Sequence, residues 1–184
     1  SVLEVSKQIL LDINGGFEID HACCVDEAFK KLLIGNYDVI VSDYELPLKD
    51  GLQFLKELRE RKYTIPFILF TGKGREEVAI KALNLGADGY VNKQGAPETV
   101  YGELAHGIRL SVERKKAEEE LAVSENKFRA IFEGARDGIL AADAETKKFV
   151  FANPRIHEIT GYSEQELLRL SVKDIHPEKD LPYV

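Results

Sequence analysis

The sequence predicts an α/β fold built on a doubly wound parallel sheet, followed by a smaller α+β region. Short apolar and β-branched runs at Val39-Ile40-Val41, Ile65-Pro66-Phe67-Ile68-Leu69-Phe70 and Gly89-Tyr90-Val91 read as strands, and each is followed by a stretch of helical length. That alternation is the signature of parallel strands joined by crossover helices. Each run also closes on polar residues at the start of a loop: Asp43, Thr71-Gly72 and Lys93. In the last third the pattern changes to two short strands joined by Asp143-Ala144-Glu145-Thr146, a plausible hairpin loop.

In chain order, residues 2–13 read as an amphipathic helix with Val2, Val5, Ile9 and Ile13 on one stripe, ended by Asn14-Gly15-Gly16. Phe17 to Cys24 reads as a short strand, and residues 25–34 as a helix turning Ala28, Phe29, Leu32 and Leu33 toward the sheet. Val39-Ile40-Val41 has no polar position, so that strand is expected to be buried on both faces. Asp50 caps a helix to about Arg61, with Leu52, Leu55 and Leu58 inward. A strand from Ile65 to Gly72, a helix over residues 75–85, a glycine cap at Gly86 and a strand over residues 89–93 complete the alternation. Pro97, suited to a first helical turn, opens a helix that runs to about Glu133.

Parallel strands bring their carboxyl ends to one edge, where open α/β sheets bind ligands. Here that edge collects Asp43, Thr71 and Lys93. A carboxylate nucleophile, a hydroxyl donor and a cation are what an aspartyl phosphate requires: an attacking oxygen, a hydrogen bond to the phosphoryl oxygens and a compensating charge.

The ordered set Asp43, Pro47, Gly51, Thr71, Tyr90 and Lys93 resembles the receiver domain of two-component response regulators, over about residues 1–112. The resemblance implies a flavodoxin-like sheet of strand order 2-1-3-4-5. It also implies Asp43 as the phospho-acceptor, Thr71 and Lys93 on the phosphoryl group, and Tyr90 as an aromatic switch turning inward with Thr71. A histidine kinase would be the phosphodonor, and Mg²⁺ would sit on Asp43 and the backbone of Glu45, helped by an acidic pair ending the first strand. The sequence starts after that central strand, so the sheet is expected to lack it, and its edge at Phe17 to Cys24 to be weakened or rearranged. Glu4 lies about a turn too far along to replace the acidic pair. Gln94 follows Lys93 where the family carries a proline, so the peptide there is expected to be trans. Glu45 and Lys73 stand at positions that tune the lifetime of the phosphoryl group in the family; an exposed ion pair of little worth accounts for them equally well.

With 184 residues, a charged fraction of 31% and a hydrophobic fraction of 44%, the chain has the composition of a soluble globular protein of one domain or parts of two. A formal net charge of -7 argues against nucleic acid as a direct partner. No apolar run reaches the roughly 18 residues of a membrane span, which favours a cytoplasmic protein. Cys23 and Cys24 have no second pair at ligand spacing and are expected to be buried thiols. His106 precedes Gly107-Ile108-Arg109-Leu110, unlike the run that follows the phospho-accepting histidine of a kinase, so it reads as a surface histidine.

Within the long helix, Tyr101, Leu104, Ile108 and Val112 form one stripe and Ala117, Leu121, Phe128 and Ile131 another. Residues 113–120 between them are too charged to pack against a core, and their opposite signs four apart support a solvated helix. Residues 97–133 are therefore expected to carry the last receiver helix onward as a signalling linker, either pairing with a second copy in a homodimer or remaining an exposed connector. Residues 124–184, with FANPRIHEITGYSEQELL and then HPEKD, resemble the N-terminal part of a PAS sensor domain. Asn153-Pro154 starts a short helix ending at Gly161, and Ser163-Glu164-Gln165-Glu166 is a capping box. Three further strands would complete that fold, so the PAS domain is expected to be partial, its ligand unknown. The implied function is the phosphoacceptor receiver module of a two-component phosphorelay, coupled through a helix to a PAS sensor. Two alternatives stand beside it. One is the sensory part of a hybrid histidine kinase whose catalytic domain lies downstream, and the other a degenerate receiver used for docking without phosphorylation.

Overall fold

The computed structural model describes residues 10, 16–72 and 76–175. Outside them lie Lys73, Glu4 and the HPEKD run, together with all of the expected 2–13 helix except Leu10, which is buried. The chain divides into two compact units, Ser1–Glu118 and Glu119–Val184.

In the first unit the elements are α1 (Val25–Ile34), β1 (Ile40–Ser42), α2 (Gly51–Glu60), β2 (Phe67–Thr71), α3 (Glu76–Asn84), β3 (Gly89–Asn92) and α4 (Pro97–Gly134), whose last turns pass the unit boundary. The three strands form a parallel sheet in the order β1-β2-β3, with Ser42 opposite Leu69 and Thr71 opposite Asn92. Alternate residues of β2 serve opposite faces. Phe67 and Leu69 pack with Val25 and Phe29 of α1, Phe54, Leu55 and Leu58 of α2, and Val78 and Ala82 of α3. Ile68 and Phe70 pack on the other face with Val100, Leu104, Ala105 and Ile108 of α4. This is the expected α/β layering, and it turns the strands' carboxyl ends toward one edge.

Local chemistry sets the helix ends. The Asp50 carboxylate accepts from Gln53 N at 2.8 Å while the Gln53 side chain accepts from Asp50 N at 3.0 Å, a capping box that starts α2. Gly86, at φ 87, adopts the left-handed conformation just after α3 that suits glycine. Val100, Leu104, Ala105, Ile108 and Ser111 form the buried stripe of α4, whereas Leu121, Phe128 and Ile131 are exposed.

Four expectations need correction. Phe17 to Cys24 forms no strand. Phe17 and Ile19 instead lie against the α4-side core, and Asp20 bonds Lys31 and Tyr37, a rearranged segment in place of the expected strand. β1 is not buried on both faces: Val41 is 38% exposed, because among the described residues β1 has a neighbour on one side alone. Leu33 is 75% exposed, since Phe29 and Leu32 take the inward positions and Leu33 falls at the margin of their stripe, about 100° around the helix from Leu32. Cys23 is exposed and Cys24 half-buried, so neither is a core thiol. The peptides around Lys93 are trans, as expected.

The second unit contains an antiparallel pair, β4 (Leu140–Ala142) and β5 (Phe149–Ala152), followed by α5 (Pro154–Thr160), α6 (Glu164–Leu167) and α7 (Val172–Ile175). The hairpin loop is held by the Asp143 carboxylate, which accepts from Thr146 N and Thr146 Oγ1, both at 2.7 Å. Those bonds hold its pKa below the ordinary carboxylate value. Asn153 is fully buried and its side chain makes four hydrogen bonds. Its Oδ1 accepts from Ile139 N (2.8 Å) and Ile156 N (3.1 Å), and its Nδ2 donates to the carbonyls of Phe132 (3.1 Å) and Asp137 (3.0 Å). Gly161, at φ 74, closes α5, and the Ser163–Glu166 capping box opens α6, both as expected. Among the described residues no helix is long and apolar enough to cross a membrane.

Candidate functional site

Each candidate residue stands at or just beyond the carboxyl end of its strand: Asp43 after β1, Thr71 as the last residue of β2, Lys93 after β3. Lys93 N donates to the Thr71 carbonyl at 2.9 Å, so the sheet ladder is continued where the site begins. The Lys93 ammonium reaches across to Asp43 and donates to its Oδ2 at 2.5 Å, joining residues 50 positions apart. The other carboxylate oxygen accepts a longer bond from Glu45 N, at 3.4 Å. Asp43 and Lys93 are each about one-third exposed, so the pair is open to a reactant without being fully hydrated. Lys93 Nζ also lies 5.0 Å from the centroid of the Phe70 ring, a cation–π contact that holds the ammonium over the sheet edge.

Thr71 is 1% exposed and lies, by alternation with Phe67 and Leu69, on the face covered by α1, α2 and α3. Tyr90, opposite Leu69 in the ladder, packs against the same core. Thr71 and Tyr90 therefore share a face. The Tyr90 hydroxyl is buried with no hydrogen-bond partner among the described residues, an unusual and costly state for a phenol. His106 is exposed on α4, away from these strand ends in sequence and element.

The loop between β1 and α2 is tightly closed under Asp43. Gly51 N donates to the Tyr44 carbonyl at 2.8 Å, and a Cβ at Gly51 would run into the Asp43 carbonyl oxygen and come within 2.8 Å of Leu69 Cδ1. Ser42, buried at the end of β1, donates its hydroxyl to that same Asp43 carbonyl at 2.9 Å. Sequence reasoning placed Gly51 in the motif but missed Ser42 and Phe70. Both are the strand residues next to a site residue, and that adjacency was the available signal.

For Mg²⁺, the described residues offer one carboxylate, Asp43, and the backbone of Glu45; no group of three or more acidic, His or Cys side chains that could hold a metal occurs among them. Mg²⁺ binds through one or two carboxylates with waters and substrate phosphate in near-octahedral geometry. With Asp43 Oδ2 already engaged by Lys93, the described donor set does not by itself make that site. Glu45 is exposed beside Asp43, while its suggested partner Lys73 lies outside the described residues.

Comparison with known proteins agrees with this geometry. Residues 1–105 match the response regulator receiver domain, and residues 126–183 match a PAS domain. Over 111 residues the chain is 34% identical to the alkaline phosphatase synthesis transcriptional regulatory protein PhoP of Bacillus subtilis, covering 59% of this chain and 46% of the relative. It is 33% identical over 94 residues to the transcriptional regulatory protein BasR of Escherichia coli, covering 51% of this chain and 42% of the relative. The chain thus spans less than half the length of these relatives. Among solved structures it is similar to the receiver domain of Francisella response regulator 1452, with a TM-score of 0.54 and 27% identity over 61% of this chain and 91% of that one. A response regulator receiver domain protein from Clostridium thermocellum aligns with a TM-score of 0.55 and 25% identity, covering 63% of this chain and 89% of that one. A parallel sheet carrying an Asp–Lys pair at its carboxyl edge and a family match over more than half the chain lead to one conclusion: the chain belongs to the response regulator receiver domain family, with a PAS match following in its second unit.

Proposed function

We propose that this chain is a phosphoacceptor module of a two-component phosphorelay, with Asp43 as the acceptor. The observation that carries the reading is the 2.5 Å contact between Lys93 Nζ and Asp43 Oδ2. A carboxylate oxygen of Asp43 attacks the phosphorus of a phosphohistidine on a histidine kinase; the P–N bond breaks, the imidazole leaves and takes up a proton, and an acyl phosphate remains. Lys93 offsets the charge that accumulates on the phosphoryl oxygens and Thr71 donates its hydroxyl to one of them, the positioning and electrostatic work on which phosphoryl transfer depends. Mg²⁺ would add charge compensation when bound at Asp43 and the Glu45 backbone.

Tyr90 serves as the switch in this reading. Its hydroxyl has no hydrogen-bond partner among the described residues, so no hydrogen bond of that group has to break when the ring follows a shift of Thr71 toward a phosphoryl group. Residues 1–112 act as the receiver, 97–133 as last receiver helix and signalling linker, and 124–184 as the N-terminal part of a cytoplasmic PAS sensor. The exposed Ala117, Leu121, Phe128 and Ile131 follow the spacing of a coiled-coil seam, the surface a homodimer would use. A larger protein carrying a downstream kinase domain would use the same receiver chemistry.

A docking receiver that is never phosphorylated is the second reading, favoured by the short set of metal donors among the described residues. Incubation with Mg²⁺ and a small phosphoryl donor, followed by mass spectrometry, separates the two. The test uses this chain and a version extended N-terminally by an apolar strand ending in two acidic residues. A base-labile adduct on Asp43 in either, lost in Asp43→Asn, supports the acceptor; no adduct in both supports docking.

A further inference from the structure

Asp88, immediately before β3, is an ionic node at the opposite end of the strand from Lys93. Its Oδ2 accepts from Phe67 N at 2.9 Å and from Arg59 Nη2 at 3.3 Å, and its Oδ1 accepts from Arg114 Nη2. Arg59 is itself fixed, donating to the carbonyls of Tyr63 (2.9 Å), Ile65 (3.0 Å) and Gly86 (2.8 Å). Asp88 thus ties together the start of β2, the end of α2 and the start of β3. Its third partner, Arg114, stands one turn beyond Ser111, the last buried residue of α4. Lys116 adds a looser contact at 3.9 Å to Asp38, ahead of β1. The charged segment that the sequence marks as unable to pack against a core is therefore held to the sheet by ions.

We propose that the Asp88–Arg114 pair is a latch coupling β3 to the linker helix at the point where that helix leaves the core. An exposed ion pair would contribute little. Here Arg114 is 56% exposed, but the Asp88 side chain is only 16% exposed and already oriented by a backbone N–H and Arg59, so Arg114 meets a preorganised anion. β3 is consequently held at both ends, by Lys93 on Asp43 and by Asp88 on Arg114. At about 3.3 Å per residue these anchors lie roughly 16 Å apart along one strand, short enough to move as a unit. The regulatory use of the latch rests on the phosphoacceptor reading; its existence does not.

Amide hydrogen exchange on the whole chain, with no phosphoryl donor present, tests it. Arg114→Ala is expected to speed exchange over residues 112–118 by roughly three- to ten-fold. Arg109→Ala, at an exposed position of the same helix, is expected to leave exchange there unchanged. Arg114→Lys, which keeps the charge, is expected to recover part of the protection. Lys93→Ala, at the far end of β3, is expected to speed exchange over 112–118 in the parent and to add nothing in the Arg114→Ala background. Equal exchange in Arg114→Ala and Arg109→Ala overturns the latch. A Lys93→Ala effect that is absent, or that keeps its full size without Arg114, overturns the coupling. Labelling of Asp43 plays no part in these outcomes, so failure of the phosphoacceptor reading is detected separately.

Discussion

Lys93 and Asn153 show how much a single side chain can organise when its partners come from distant parts of the chain. Lys93 joins the ends of β1 and β3 by its ammonium and continues the ladder with Thr71 by its backbone. In the acceptor reading, Lys93→Ala and Thr71→Ala each lower the rate of Asp43 labelling by roughly a hundred-fold, the usual loss for one preorganised group aimed at developing charge. Labelling time courses with a small donor measure this, and rates within a few-fold of the parent would remove these residues from the proposed chemistry. Asn153 fills every bonding capacity of its amide from a fully buried position. Asn153→Ala leaves two carbonyls and the α5 N-terminus without their partner and is expected to destabilise the second unit by about 2–4 kcal/mol, read as a lower urea midpoint. Gly51→Ala is expected to cost about 1–3 kcal/mol in the first unit, because the added methyl meets the Asp43 carbonyl and Leu69.

At the scale of elements, the segment ahead of α1 is held by charge more than by a ladder. The Asp20 carboxylate accepts from Lys31 Nζ at 2.7 Å, Tyr37 Oη at 2.9 Å and His21 N at 2.8 Å. These bonds, that of Lys31 first, lower its pKa from 3.8 to about 2. A carboxyl depressed on folding stabilises the native state above its unfolded value and loses that contribution as pH falls through the folded one. The window is therefore from pH 3.8 down to about 2. Urea midpoints across that range are expected to fall less steeply in Asp20→Asn than in the parent; parallel slopes would show that the contact contributes nothing. Asp143, Glu166 and Asp174 in the second unit are lowered by similar local bonds, so the comparison with Asp20→Asn is what isolates the first-unit effect.

For the whole molecule, α4 is the element common to both units, and its exposed apolar residues are the place to test for pairing. A homodimer along Leu121, Phe128 and Ile131 predicts a concentration-dependent mass in sedimentation equilibrium that Leu121→Glu with Ile131→Glu reduces to that of one chain. A parent mass of one chain at all concentrations would leave the helix as an exposed connector.

Strand runs, helix caps and the order of polar residues at strand ends are local patterns, and they were enough to determine the α/β class, the placement of Asp43, Thr71 and Lys93 at strand ends, the caps at Asp50 and Ser163, and the long helix. Periodicity reports which residues prefer burial, whereas the neighbours available to bury them are a property of the assembled sheet. Only the tertiary structure therefore decided that Val41 and Leu33 remain exposed, that Phe17 to Cys24 forms no strand, and that Cys23 faces solvent. The same holds for Asp88, which in sequence is one more aspartate before a glycine. Its partners Phe67, Arg59 and Arg114 stand 21, 29 and 26 positions away and converge only once three elements have packed.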